Sequence, residues 1–103
     1  MNTEITKKVM ERFYSALDAI IAKGDLKGVN TFCTRYDIDR RNFIAQRKDL
    51  DRGWFQVSWL YPMVKEYGVS AEWLLTGSGR MFKKQNKENG RMGIDQTTPE
   101  IQD

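Results

Sequence analysis

The chain of 103 residues lacks histidine and holds one cysteine, Cys33. Histidine is the commonest general base and the commonest zinc ligand, so its absence removes the usual route to either kind of site. A single cysteine excludes a disulfide within the chain and is typical of a reducing compartment. With no histidine to activate it, Cys33 is better interpreted as a small buried core residue than as a nucleophile.

Long apolar runs are also missing. The sequence therefore predicts no membrane span, and its polar start, MNTEITKK, is not a signal peptide, so we expect a cytoplasmic protein. Basic residues outnumber acidic ones by only 17 to 14, and this excess does not by itself predict a nucleic-acid partner. The acidic residues are scattered without a convincing catalytic pair or metal cage. We expect no enzymatic activity, catalytic residue, metal, cofactor or small-molecule substrate.

The sequence contains instead a succession of short helical patterns. The first covers about residues 3–23 and ends before Gly24, a residue that commonly follows a helix. Its apolar stripe consists of Ile5, Val9, Phe13, Leu17 and Ile20 or Ile21. A second helix begins between Gly28 and Thr31, ends near Tyr36, and is expected to bury Val29, Phe32, Cys33 and Tyr36.

A tight turn, Asp37-Ile38-Asp39, separates the second pattern from the third. Aspartate tolerates the left-handed backbone conformation better than most residues, and Asp39 can cap the following helix. We therefore predict a third helix over Arg40–Lys48. Asp49–Gly53 is a loop.

Two further helices complete the predicted fold. The fourth covers roughly residues 56–67, and its regular part begins a turn or less before Pro62, because proline lacks the N–H that an interior position uses. Ser70 caps a fifth helix, Ala71–Thr76, which Gly77 ends. We expect an all-α domain over residues 1–82, and a polar, disordered tail over residues 83–103, where few apolar residues occur.

The second and third helices, with a tight turn between them, have the layout of a helix-turn-helix. On a helical wheel with Phe43 toward the core, Arg41, Ala45 and Lys48 lie on the opposite face and Asn42 lies at its edge. Arginine can bond guanine, and asparagine adenine, through two parallel hydrogen bonds, while a small alanine lets the backbone approach a thymine methyl.

These preferences assign DNA base contacts to Arg41, Asn42 and Ala45. The predicted phosphate contacts are Arg40, Arg47, Lys48 and Arg52. A charged helix face is more often simply solvated, and the position of this one, after a tight turn, is what favours DNA.

The stretches GVNTFCTRYDIDRRNFIAQRKD and YGVSAEWLLTGSGRMF resemble the phage-repressor-like (XRE-type, lambda-repressor-like) helix-turn-helix family. The second is the more specific, because Gly68–Gly77 matches the family pattern Gly-Val-Ser-x-x-Trp-Leu-Leu-x-Gly. The resemblance covers roughly residues 9–82. It implies a five-helix bundle that binds operator double-stranded DNA through its third helix, often as a homodimer, and hence a transcriptional regulator or repressor.

Several positions depart from the family pattern. Asp37 stands where the turn glycine is usual, Gln46 where an apolar residue is usual, and Val29 near the place of a glutamine that commonly contacts the phosphate backbone. Asp37 and Asp39 also bring negative charge near the expected DNA. The alternative is therefore a protein–protein interaction module that keeps this fold without binding an operator. A binder should present a continuous positive surface over the third helix and the Arg52 loop; an interaction module should present carboxylates there and an apolar patch elsewhere.

Overall fold

A computed structural model of the chain describes residues 2–83, which form an all-α structure. In order along the described chain, its α-helices are α1 (Glu4–Ala22), α2 (Val29–Arg35), α3 (Arg40–Lys48), α4 (Leu60–Lys65) and α5 (Ala71–Thr76). A 3-10 turn, Val57–Trp59, leads into α4, and an isolated antiparallel bridge joins Val69 to Phe82. None of the helices in residues 2–83 has the length and apolar character that a membrane crossing requires.

Helix α1 is the scaffold on which α3, α4 and α5 pack. It begins where the Thr3 hydroxyl accepts a hydrogen bond from the Thr6 amide at 3.1 Å, and it ends at Ala22, two residues before Gly24, whose φ of 87° suits glycine. The predicted span is therefore confirmed. Ile5, the first residue of the apolar stripe, is 75% exposed, and the buried face begins at Met10.

The centre of the core is aromatic. The Phe13 ring of α1 lies 5.8 Å from that of Phe43 and 5.3 Å from that of Phe55, centroid to centroid. Phe43 in turn lies 4.9 Å from Trp59. Such tilted and edge-to-face pairs add about 0.5–1.5 kcal/mol each beyond the burial of their area. Cys33 is buried in the same core, as predicted, and burial raises the pKa of its thiol.

The predicted fourth helix is shorter and less regular than expected. Its first part is the 3-10 turn, and α4 itself covers Leu60–Lys65. Pro62 is the third residue of α4, where its missing N–H would have had no intrahelical partner, so the start near Pro62 is confirmed. After α4 the chain turns at Gly68, which has a φ of 75°.

Helix α5 has the predicted bounds, and both of its ends are satisfied. The Ser70 hydroxyl accepts from the Trp73 amide at 3.2 Å, and Gly77 ends the helix with a φ of 83°. At the same end, Arg12 of α1 donates from Nε to Leu74 O at 2.8 Å and from Nη2 to Leu75 O at 3.1 Å. A cation at the C-terminus of a helix also complements its dipole.

Lys83 is the last described residue. Its amide donates to Gly68 O at 2.8 Å, and it is the one described residue of the predicted tail, residues 83–103. The prediction of a disordered tail otherwise falls on residues 84–103, which lie outside the described residues.

Candidate nucleic-acid interface

The connection from α2 to α3 is a hydrogen-bonded turn. The Ile38 amide donates to Cys33 O at 2.8 Å and the Asp37 amide to Thr34 O at 3.5 Å, the two bonds of a Schellman motif. Asp37 sits at the left-handed position of that motif with a φ of 57°, and it is the only non-glycine residue among the described ones with a positive φ. The turn that usually requires glycine is therefore made here by an aspartate.

Asp39 caps α3, as predicted. Its carboxylate oxygen Oδ1 accepts a hydrogen bond from the Asn42 amide at 3.0 Å. A carboxylate at a helix N-terminus is stabilised by the free N–H groups and by the helix dipole. The negative charge of Asp39 is thus directed at the helix, whereas Asp37 remains exposed in the turn.

Helix α3 turns Phe43 and Gln46 inward. The exposed residues of α3 are Arg40, Arg41, Arg47 and Lys48, and the half-buried ones are Asn42, Ile44 and Ala45. The structure therefore brings Arg40, Arg41 and Lys48 together on an open face, with Asn42 and Ala45 beside it. Gln46, which stands where the resembled family usually has an apolar residue, is fully buried.

Ion pairs divide the basic residues of this surface into two groups. Within residues 2–83, no ion pair involves Arg40, Arg41 or Lys48. Arg47 instead turns toward α1, where both of its terminal nitrogens bond the Asp18 carboxylate. The hydrogen bond to Asp18 raises the pKa of the Arg47 guanidinium. For Arg47 to reach a phosphate, it would first have to leave Asp18.

The loop after α3 carries charges of both signs. Arg52 lies 3.7 Å from an Asp49 carboxylate oxygen, and its guanidinium carbon lies 5.0 Å from the centre of the Trp54 ring. Asp51 pairs with Lys7 at 3.2 Å. Within residues 2–83, three exposed basic residues of α3 are thus without an ion pair, whereas two carboxylates accompany Arg52 in the loop.

The same loop is held from inside by the amide of Gln46, a role that the sequence analysis missed. Oε1 of Gln46 accepts from the Trp54 amide at 2.8 Å and from the Phe55 amide at 3.1 Å. Its Nε2 donates to Leu50 O at 3.3 Å and contacts the Met10 sulfur at 3.4 Å. This network explains why a glutamine is tolerated at a fully buried position. The one feature of the sequence that could have indicated this role is a glutamine where the resembled family usually has an apolar residue.

Asn2 holds the loop from outside. Its side-chain nitrogen donates to Leu50 O at 2.7 Å and to Arg52 O at 3.1 Å, and its amide donates to the Asp51 carboxylate at 3.2 Å. The hydrogen bond from Asn2, with a smaller effect of Lys7, lowers the pKa of Asp51. No local pattern in the sequence could have indicated these contacts, since their partners are about 50 residues apart.

Helix α2 is tied to the segment after α4 by two tyrosines. Arg35 donates from Nη1 to the Tyr67 hydroxyl at 2.7 Å, and the hydroxyls of Tyr36 and Tyr67 lie 3.5 Å apart. Burial, followed by the hydrogen bond to Tyr67, raises the pKa of Tyr36 to about 12. Arg35 is an exposed cation beside the α2–α3 pair that the sequence analysis did not assign.

Two tryptophans, Trp54 and Trp59, lie near the loop after α3. Trp59 is buried in the core, and Trp54 is half-buried beside Arg52. Within residues 2–83, no group of histidine, cysteine or carboxylate residues has the arrangement of a metal site. Comparison of the chain with protein-family models, with curated proteins and with solved structures gives no match. A functional assignment therefore has to stand on the geometry of the site.

Proposed function

We propose that this protein binds double-stranded DNA in a sequence-specific manner as a lambda-repressor-like helix-turn-helix regulator. The observation that carries the proposal is the open face of α3, where Arg40, Arg41 and Lys48 have no carboxylate partner among the described residues. An α-helix with its side chains is about 10–12 Å across, which suits a major groove about 12 Å wide.

The proposed contacts follow the order of residues along α3. In a docked helix-turn-helix the N-terminal residues of the second helix meet the base edges. Arg41 and Asn42 lie in that first turn and Ala45 one turn later, so these three are proposed to read bases. Arg40 and Lys48 are proposed to hold phosphates at the two ends of the helix. Arg47 and Arg52 are proposed for the same role once they exchange Asp18 and Asp49 for phosphate.

Two copies are proposed to bind together. A single small module buries a modest area on DNA, and useful affinity calls for a homodimer on adjacent half-sites one helical turn apart. A two-fold protein would then select a palindromic operator.

The test is selection of binding sites from a random duplex library by the full chain at moderate salt. The best duplex is then titrated by fluorescence anisotropy at several salt concentrations. We expect an enriched palindromic site and an affinity that falls steeply as salt rises, because each phosphate contact releases counterions. No enrichment, with binding weaker than about 10⁻⁴ M, would instead favour the alternative, a module of this fold without operator binding. The carboxylates of the Arg52 loop are the feature that supports that alternative.

Point variants test the assignment of individual residues. Arg41→Ala should weaken binding to the selected site by about 1–3 kcal/mol and relax the base preference at one position. Lys48→Ala should weaken all sequences about equally and lower the slope of log affinity against log salt by about one. Lys8→Ala, an exposed change on α1, is the matched control. If the two α3 variants behave like this control while the wild-type protein still binds, the contact face is assigned wrongly.

A further inference from the structure

An apolar groove lies between α4 and α5, and the proposed DNA contacts do not use it. The groove has a volume of about 540 Å³. Its apolar lining includes Val57, Leu60, Tyr61, Val64, Leu74 and Leu75. Both walls pack on α1, and Arg12 fixes the end of α5 from that helix. Both walls of the groove are therefore held in place by α1.

The groove is too open for a small molecule. Sites for small ligands enclose most of the ligand surface, whereas Val57 is 80%, Tyr61 65% and Leu75 53% exposed. Large apolar side chains that are this exposed along a shallow groove are typical of a surface that receives a protein segment. An amphipathic helix lies in such grooves with apolar anchors at positions i, i+3 or i+4, and i+7.

The charges of the groove indicate which kind of segment it fits. Among residues 2–83, two lysines, Lys65 and Lys83, line it, and no carboxylate does. The Lys83 ammonium lies 3.4 Å from Val64 O, near the C-terminal end of α4, where the helix dipole favours a cation. A second copy packed groove against groove would bring four ammonium groups into one interface, and like charges across an interface oppose binding. An acidic partner would be attracted.

We propose that the α4–α5 groove binds an amphipathic helix of a partner protein, with leucine-like anchors along one side and acidic residues at its flanks. The anchors would cover Tyr61 and Leu75, and the acidic residues would pair with Lys65 and Lys83. Helix α3 packs on α1 and α2, so its open face stays free. The proposed partner can then bind whether or not DNA is present, and its binding does not depend on the proposed DNA function.

The test is selection from a random library of 16-residue peptides on the immobilised full chain, without DNA. We expect enriched peptides to carry apolar residues at helical spacing and flanking aspartate or glutamate. The best peptide is then titrated by fluorescence anisotropy. Lys65→Glu and Lys83→Glu should each weaken its binding several-fold, and Tyr61→Ala at least tenfold. Lys27→Glu, the same charge change at an exposed lysine outside the groove, should leave it unchanged.

Three kinds of result would overturn the proposal. One is selection of peptides without acidic residues, or equal loss of binding in the Lys27→Glu control. The second is a concentration-dependent dimer in sedimentation that Tyr61→Ala abolishes, since a second copy would then cover the groove. The third concerns residues 94–103 of this chain, which hold two isoleucines and three acidic residues. If the peptide binds only after Ile94→Ser and Ile101→Ser, this segment is the occupant.

Unfolding curves of each variant, and its binding to any selected duplex, separate loss of the groove from loss of the fold. If the wild-type protein binds peptide and no DNA, the proposed DNA function fails and the groove proposal stands. If it binds DNA and selects no peptide, the groove proposal fails and the proposed DNA function stands.

Discussion

Replacing Gln46 with leucine is the sharpest test of how the loop after α3 is held. The change keeps the size of the side chain and removes its amide. The Trp54 and Phe55 amides, which now donate to Gln46 at 2.8 and 3.1 Å, would lose their acceptor, and Leu50 O would lose a donor. A polar group that is buried without a partner costs about 1–3 kcal/mol.

The size of the loss follows from the burial of the groups involved. Gln46 itself is fully buried, but Trp54 and Phe55 are half-buried, so water can reach part of the opened loop. Each amide that loses its acceptor should therefore lower the free energy of unfolding by an amount near the low end of that range. Burial of the apolar leucine side chain offsets part of this loss. We expect the free energy of unfolding to fall by about 2–3 kcal/mol, a large share of the stability of a small domain.

The assay is urea unfolding at 25 °C, followed by tryptophan fluorescence and by circular dichroism. With a slope of about 1 kcal/mol per molar urea for a protein of this size, the midpoint should shift by about 2–3 M. Gln56→Leu is the control, because Gln56 is exposed and makes one long bond of 3.4 Å to Trp54 O. It should change the stability by about 0.5 kcal/mol or less. Equal effects of the two variants, or a Gln46→Leu protein as stable as the wild type, would refute the role assigned to Gln46.

Changes at three further positions test the turn, the cation at Arg47 and the cap of α5. Asp37→Gly should stabilise the protein by about 0.5–1 kcal/mol in thermal unfolding, because glycine adopts the left-handed conformation without strain. Asp37→Asn should leave the stability nearly unchanged. Both variants should tighten DNA binding at low salt. Asp18→Asn should free Arg47, tighten DNA binding several-fold and steepen its salt dependence; unchanged titrations would remove Arg47 from the phosphate contacts. Arg12→Met should lower the free energy of unfolding by about 1–2 kcal/mol, since two carbonyls at the end of α5 lose a charged donor, and Lys8→Met, an exposed change on the same helix, should not.

The helix ends could be predicted from the sequence because capping is local. Asp39 and Ser70 bond amides three residues ahead, and Gly77 adopts its left-handed conformation where α5 stops. The predicted bounds of α3 and α5 are accordingly those observed. Ile5 shows the limit of periodicity: it continues the apolar stripe of α1, but a repeat does not indicate where along a long helix the neighbouring helices begin to cover it.

For the candidate site, the sequence likewise predicted which side chains of α3 are exposed, and not their distant partners. Once Phe43 is placed in the core, the helical period puts Arg41 and Lys48 outside, as observed. The pairing of Arg47 with Asp18 joins residues 29 apart, and it became visible only when α1 and α3 were packed together. The clamp of Gln46 and Asn2 on the loop is non-local in the same way, because Asn2 bonds residues about 50 positions away.

Helix α1 connects the two surfaces to which we assign functions. Tyr14 donates from its hydroxyl to Phe43 O at 2.8 Å and so supports α3, while Arg12 caps α5 beside the groove. These residues are two positions apart on one helix, a spacing that turns them toward different sides. Each surface therefore has its own anchor on a shared, well-packed helix. Tyr14 does not support the groove, and Arg12 does not support α3. When a substitution on the open face of α3 is combined with one in the groove, their effects on the binding free energies of DNA and peptide should therefore add.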